Sequence, residues 1–349
     1  MAEPSLLGAA CRPLSHCCWP QAITNSDPDP QLVQAFRGPA EVYALSVELP
    51  GTAPPQARQS VSELEEEESS YWDFSILQDT LRALGLLEVL PDGANSGKPQ
   101  RKGGPCTLAL LAVLRDQSAR EVMALMDLPE SMLAVLQQAD KLPSVRVTLR
   151  CSMDLQMLPT TPTLSHALPS AKECGMKHPP KALLVGACYQ DSKKWKLEGP
   201  VHDVWDMMEY LVSELAWPQD RIRVLTDAHE QWATHSPAET QQVDGLPTHE
   251  TILSSLKWLL EEGDDLASLA ADSSQGGGCR LLHFSGHGEQ DTLFPIDWEE
   301  NGVVTGVSLA HEVQTSLCAK TVFTCLLDCC ESRSFFRSLP YSWRAKAAK

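Results

Sequence analysis

The sequence is short of positive charge: 28 Lys and Arg stand against 46 Asp and Glu, giving a formal net charge of −18 and a pI near 4.9. That deficit excludes nucleic acid and anionic membrane surfaces as main partners, because phosphate binding relies on clustered cations. It favours cationic peptides instead. No stretch approaches the roughly 20 uninterrupted apolar residues of a membrane-spanning helix. The first nineteen residues lack the charged start and the sustained apolar centre of a secretory signal. Twelve cysteines without such a signal are expected as free thiols in a reducing, cytoplasmic setting. Neither a CxxC pair nor HExxH occurs, so zinc is not indicated. Phosphate loops fail too. GANSGK (93–98) is one residue short of a Walker A loop and runs into Pro99, and GGG (276–278) precedes a predicted strand instead of following one. Ser285 lacks the Gly-x-Ser-x-Gly setting of a hydrolase elbow.

What is present is enough for a sizeable core: 349 residues, 43% of them apolar. Residues 1–60 are Pro-rich, and only QLVQAF (31–36) and AEVYALSVEL (40–49) read as helix or strand, with the choice left open. SELEEEESS (62–70) reads as a solvated charge run and 71–90 as an amphipathic helix, followed by a loop over 90–104. CTLALLAVLRD and SAREVMALMDL read as helices, the second with Ser118 as N-cap and Glu121 three residues on. SVRVTLRCSM (144–153) alternates like a strand. Pro, Thr and Ser recur through 158–179, the best linker in the chain. From 180 to 349 the pattern is regular: predicted strands at 181–189, 221–227, 279–287 and 321–330 alternate with helices at 201–217, 248–263 and 307–318. Such alternation predicts an α/β fold, a mostly parallel central sheet with helices on both faces.

Two predicted strands end on chemistry. LLHFSGHGEQ (281–290) presents His287 and VFTCLLDCCESRS (322–334) presents Cys330, each where an apolar run gives way to small and polar residues. Carboxyl ends of parallel strands collect reacting groups, so a cysteine nucleophile and a histidine base can meet there. Period-two alternation puts Ser285 with His287, and Asp328 with Cys330, while Cys329 turns into the core. Cys188, Cys279, Cys318 and Cys325 read as buried structural thiols. In the thiol mechanism His287 takes the Cys330 proton and the sulfur attacks a peptide carbonyl. The backbone N–H groups of Gly288 and Cys330 are the candidate oxyanion donors. No Asp or Asn that would orient His287 is visible in the sequence. Asp203 reads equally as a pocket carboxylate or as an acid in the first turn of its own helix.

KALLVGACY (181–189), LEGPVHDVWDM (197–207), PTHETILSSLKWLL (247–260), SGHG (285–288) and DCC (328–330), in this order, resemble the catalytic large subunit of metacaspases, over about half the chain. SLPYSW (338–343) resembles the apolar turn that follows the nucleophile in that family. A small-subunit-like segment lies upstream, at about 103–157 within an N-terminal region 1–157, a reversed order that resembles the type III metacaspases of algae. The resemblance implies the caspase-hemoglobinase fold and a cysteine-type endopeptidase acting through a His287–Cys330 dyad. It also implies a basic-residue pocket from Asp203, Ser285 and Asp328. Two carboxylates in one cleft raise each other's pKa until a cation arrives, which suits substrate Arg or Lys.

The expected partners are thus peptides or proteins with basic residues, met by a monomer. No cofactor is required by the sequence. Calcium activation enters only through the resemblance, with Asp297, Glu299 and Glu300 of the shortened acidic loop (289–302) as its candidate oxygen donors; they read otherwise as an exposed acidic turn. The metal site itself stays unknown. Self-cleavage is expected, if anywhere, after Lys172 or Lys177. Cys330 is followed by Glu331-Ser332-Arg333 where the family usually has His-Ser-Gly. That departure motivates an alternative: a catalytically silent scaffold or regulator of the same fold.

Overall fold

A computed structural model describes residues 40–48, 103–138, 145–158, 160–174, 179–229, 243–261, 278–289, 291–317, 320–330, 332, 335–336 and 339–345. The expectations for 31–36, 62–70 and 71–90, and for Lys177, Glu331 and Arg333, lie outside the described residues.

Seven strands form one mixed sheet in the order β10-β2-β1-β9-β5-β3-β4. These are β1 (Glu41–Glu48), β2 (Arg146–Cys151), β3 (Lys181–Gly186), β4 (Ile222–Thr226), β5 (Cys279–Ser285), β9 (Val322–Asp328) and β10 (Tyr341–Arg344). From β4 across to β1 every pairing is parallel, whereas β2 and β10 each join antiparallel. The remaining strands, β6 (Gly288–Glu289), β7 (Thr292–Leu293) and β8 (Val304–Thr305), make a small antiparallel sheet just after β5. The α/β fold with a mostly parallel sheet, as expected for the caspase-like architecture, is what the structure has.

Burial on both faces follows from alternation within the apolar runs. On β3, Ala182 and Leu184 join a core with α1 (Pro105–Arg115), α3 (Leu128–Gln138) and α4 (Pro200–Glu209), while Leu183 and Val185 join a second core with α5 (His249–Leu260) and α6 (Gly306–Ser316). Helix α5 starts where predicted. Thr248 caps it by accepting from the Thr251 N–H, and the Thr251 side chain returns the bond to the Thr248 N–H.

Three features differ from the sequence reading. The run left open at 40–49 is strand β1, and it sits between β9 and β2. Within the 103–157 segment, β2 therefore joins the sheet through β1, while α1 meets β9 directly through the Thr107–Asp328 bond. The single helix predicted from Ser118 is instead α2 (Gln117–Val122), a break, and then α3, and Ser118 lies inside α2 instead of capping it. The break occurs because residues 162–164 capture the backbone there: Leu125 N–H donates to Pro162 O (2.8 Å) and Leu164 N–H to Met123 O (3.3 Å). Finally, Tyr341–Arg344, which takes in the end of SLPYSW, is an edge strand paired to β2.

The predicted linker packs against the fold. Leu164, Ala167 and Leu168 are buried, and Ala167 O accepts from the Thr324 hydroxyl of β9 at 2.7 Å.

Candidate active site

Strands β5 and β9 run parallel in a register that pairs Ser285 with Asp328. His287 and Cys330 each follow by two residues, so both leave the sheet at the same level on neighbouring strands. The two loops touch. A Cβ added to Gly288 would lie 2.7 Å from Cys329 Sγ and 3.1 Å from Cys330 O, so only glycine lets the His287 loop approach this closely. Gly286 N–H also donates to Asp328 O at 3.2 Å. Cys329 is buried in the core beside Phe323 and Cys325, whereas Cys330 is half-buried.

The orienting group that the sequence does not reveal is a backbone carbonyl. His287 Nε2 lies 2.8 Å from Trp195 O. A carbonyl can only accept, so Nε2 carries the proton and Nδ1 is left with its lone pair, as a general base needs. The ring packs between aromatic neighbours, 4.8 Å from the Tyr189 ring and 5.7 Å edge-on from Trp195. Burial holds the His287 pKa below the ordinary histidine value, with the Trp195 carbonyl working in the opposite sense. A neutral imidazole is therefore favoured at rest.

Tyr189 fixes the backbone of the same residue. Its hydroxyl donates to Phe294 O at 2.5 Å and accepts from the His287 N–H at 3.1 Å. Tyr189 itself has φ of 52°, a left-handed conformation unusual for an aromatic residue. The Asp227 carboxylate, just after β4, holds that turn by accepting from the Cys188 and Gln190 N–H groups, both at 2.7 Å.

Asp203, Ser285 and Asp328 come together at the carboxyl ends of β5 and β9. Ser285 Oγ donates to Asp203 Oδ2 at 2.6 Å, and Gly104 N–H donates to Asp203 Oδ1 at 2.5 Å. Asp203 is 1% exposed; it lies in the first turn of α4, and its carboxylate meets the start of α1. Asp328 Oδ2 accepts from both the N–H (2.8 Å) and the hydroxyl (2.9 Å) of Thr107. The Thr107 hydroxyl also lies 2.9 Å from Nε2 of His283, a residue 1% exposed on β5. Burial, then the charge of Asp328, pushes Asp203 well above the usual carboxylate range against the Ser285 and Gly104 donors. Burial also raises Asp328 to about 6, opposed by the donors of Thr107 and Cys106. One negative charge on the pair is thus favoured over two.

Among the described residues of the acidic loop, Asp297, Glu299 and Glu300 do not converge on a calcium site. Asp297 accepts from His249 N–H at 2.8 Å and from Asn301 Nδ2 at 2.8 Å, which ties it to the start of α5, and Glu299 and Glu300 are exposed. Among the described residues no group of three His, Cys, Asp or Glu side chains is placed to hold a metal ion. No step below is routed through calcium.

Residues 180–339 match the family model for the metacaspase, peptidase C14 domain. The chain carries a metacaspase C14 domain. Metacaspase III c of the diatom Phaeodactylum tricornutum is 27% identical over 278 residues, covering 73% of this chain and 69% of the diatom protein. Metacaspase-1 of Eremothecium gossypii is 30% identical over 179 residues, 48% of this chain and 34% of that protein. Metacaspase-1 of Debaryomyces hansenii is 30% identical over 169 residues, again 48% of this chain and 35% of that one. The match thus spans about a third of the length of these two fungal relatives. The diatom match covers 73% of this chain, so it takes in sequence well beyond residues 180–339.

Proposed function

We propose that the chain is a cysteine endopeptidase that hydrolyses the peptide bond after Arg or Lys. The register Ser285 to Asp328 carries this reading, because it delivers a base, a thiol and an acidic pocket to adjacent strand ends. His287 Nδ1 accepts the Cys330 thiol proton as sulfur bonds to the scissile carbonyl carbon, and the imidazolium then protonates the departing amine. A thioester remains. Water attacks it, giving up a proton to His287; the carbon–sulfur bond breaks, and Cys330 recovers its proton as the acid leaves. The N–H groups of Gly288 and Cys330 are assigned to the oxyanion. A basic side chain entering beside Asp328 supplies the cation that lets the buried carboxylate pair carry more charge.

The silent-scaffold reading has one observation in its favour: both Asp203 oxygens already accept from protein donors, as a structural clamp would. An assay on fluorogenic peptides ending in Arg, Lys or Asp, with and without calcium, separates the two. Cleavage after Arg or Lys that is lost in Cys330→Ala supports the peptidase. No cleavage of any peptide, together with Cys330 no more reactive than the other thiols, supports the scaffold.

A further inference from the structure

The geometry points to Thr107 as a positioning residue of the acidic pocket: through Asp328 it sets the preference for a basic side chain, so the N-terminal half of the chain is part of the specificity site. This inference rests on the basic-residue reading given above.

Helix α1 begins without a local cap, since Gly104 at its N-cap position makes no side-chain capping bond. Its first N–H groups need acceptors, and they find them across the fold. Thr107 N–H and hydroxyl both reach Asp328 Oδ2, and Gly104 N–H reaches Asp203 Oδ1. The approach is at van der Waals contact. A Cβ on Gly104 would sit 2.4 Å from Asp328 Oδ2, and one on Gly103 would sit 2.8 Å from Asp203 Oδ1. The backbone of Gly103–Gly104 is therefore a wall of the pocket. The two Thr107 donors at the helix N-terminus favour the ionised, oriented form of Asp328, whose burial works against ionisation. His283 completes the arrangement: as the Nε2–H tautomer it donates to the Thr107 hydroxyl, which leaves the hydroxyl proton to point at Asp328. Oδ2 is thus engaged by Thr107, and the Cys106 N–H adds a further donor to the same carboxylate, which holds Asp328 in one orientation.

The test uses the full chain carrying Cys330→Ala, so that a peptide binds without being cut. Calorimetry compares an acetylated tripeptide amide ending in Arg with the same peptide ending in Gln. Arg should bind at least about tenfold more tightly. Thr107→Val, which removes the hydroxyl donor alone, should cut that preference about fivefold, the scale of one net hydrogen bond. Thr107→Ser should keep it. Asp328→Asn should reduce the preference to what Asp203 alone supplies, and adding Thr107→Val should then cost nothing more, since Thr107 acts through Asp328. If Thr107→Val does not fold, Thr107→Ala removes the same donor with a good helix former.

A folded Thr107→Val that keeps the full preference overturns the inference, as does a loss additive with Asp328→Asn. Tighter Arg binding in Thr107→Val also overturns it, because α1 would then be competing with substrate. So does the absence of any Arg preference. A Thr107-dependent preference in a protein whose Cys330-intact form cleaves nothing leaves the inference standing and removes the peptidase reading.

Discussion

His287 is held by Trp195, residue to residue through a ring nitrogen and a main-chain oxygen 2.8 Å apart. A carbonyl thus orients the ring, and the proton it fixes on Nε2 leaves the lone pair on Nδ1. His287→Ala should lower peptide cleavage by at least about a hundredfold, the scale of losing a general base. Labelling of Cys330 by a small neutral electrophile should fall with it. Labelling at the wild-type rate would mean that another group activates the thiol.

The adjacent cysteines should behave differently. Cys330→Ala should abolish cleavage with the fold intact, while Cys329→Ala should retain most of it. Cys329 is 8% exposed and packs in the core, so its loss should register as about 1 kcal/mol of stability rather than as lost chemistry. Kinetics alongside urea unfolding of both variants checks this. Equal loss of activity in two normally folded variants would reassign the nucleophile.

Charge should decide specificity. Arg and Lys peptides should be cleaved, and Asp peptides, which would meet like charge in a partly desolvated cleft, should not. Asp328→Asn should reduce cleavage after Arg without raising cleavage after Asp to a comparable rate. Comparable wild-type rates on Arg and Asp peptides would show that these carboxylates are not the substrate pocket.

The pocket should also respond to pH. Asp328 is raised to about 6, so its charge, and with it the attraction for a cation, is present above that pH and lost as pH falls through it. The ratio of Cys330 labelling by a basic to a neutral electrophile cancels the titration of His287. It should fall as pH drops from about 7 to about 5, and Asp328→Asn should flatten it. A ratio independent of pH in the wild type would place the cation elsewhere.

Strand β1 joins the two halves into one sheet, which predicts a single cooperative unfolding transition. Leu45 is 2% exposed on β1, and Leu45→Ala should lower that transition by about 2–5 kcal/mol. Two separate transitions, only one of them shifted, would mean that the halves are stable independently.

Several elements of this protein were determined by the sequence alone. Apolar runs such as KALLVGACY and CRLLHFS, spaced by helices of regular period, dictate buried parallel strands, because only a sheet covered on both faces buries both alternating sets of side chains. The abrupt change to SGHG and DCC marks the strand ends where His287 and Cys330 emerge. Tertiary structure decided the rest. EVYALSVE is a short apolar run that suits helix or strand locally, and only the free edges of β9 and β2 made it a central strand. The break between α2 and α3 was imposed by residues 162–164, whose backbone outcompetes the local helical pattern. Trp195 acts through its carbonyl, a group every residue carries, so nothing in the sequence distinguishes it. Thr107 and Asp328 are 221 positions apart, and their bond exists because an uncapped helix start and a buried carboxylate each lack a local partner, a need that only the packed chain can meet.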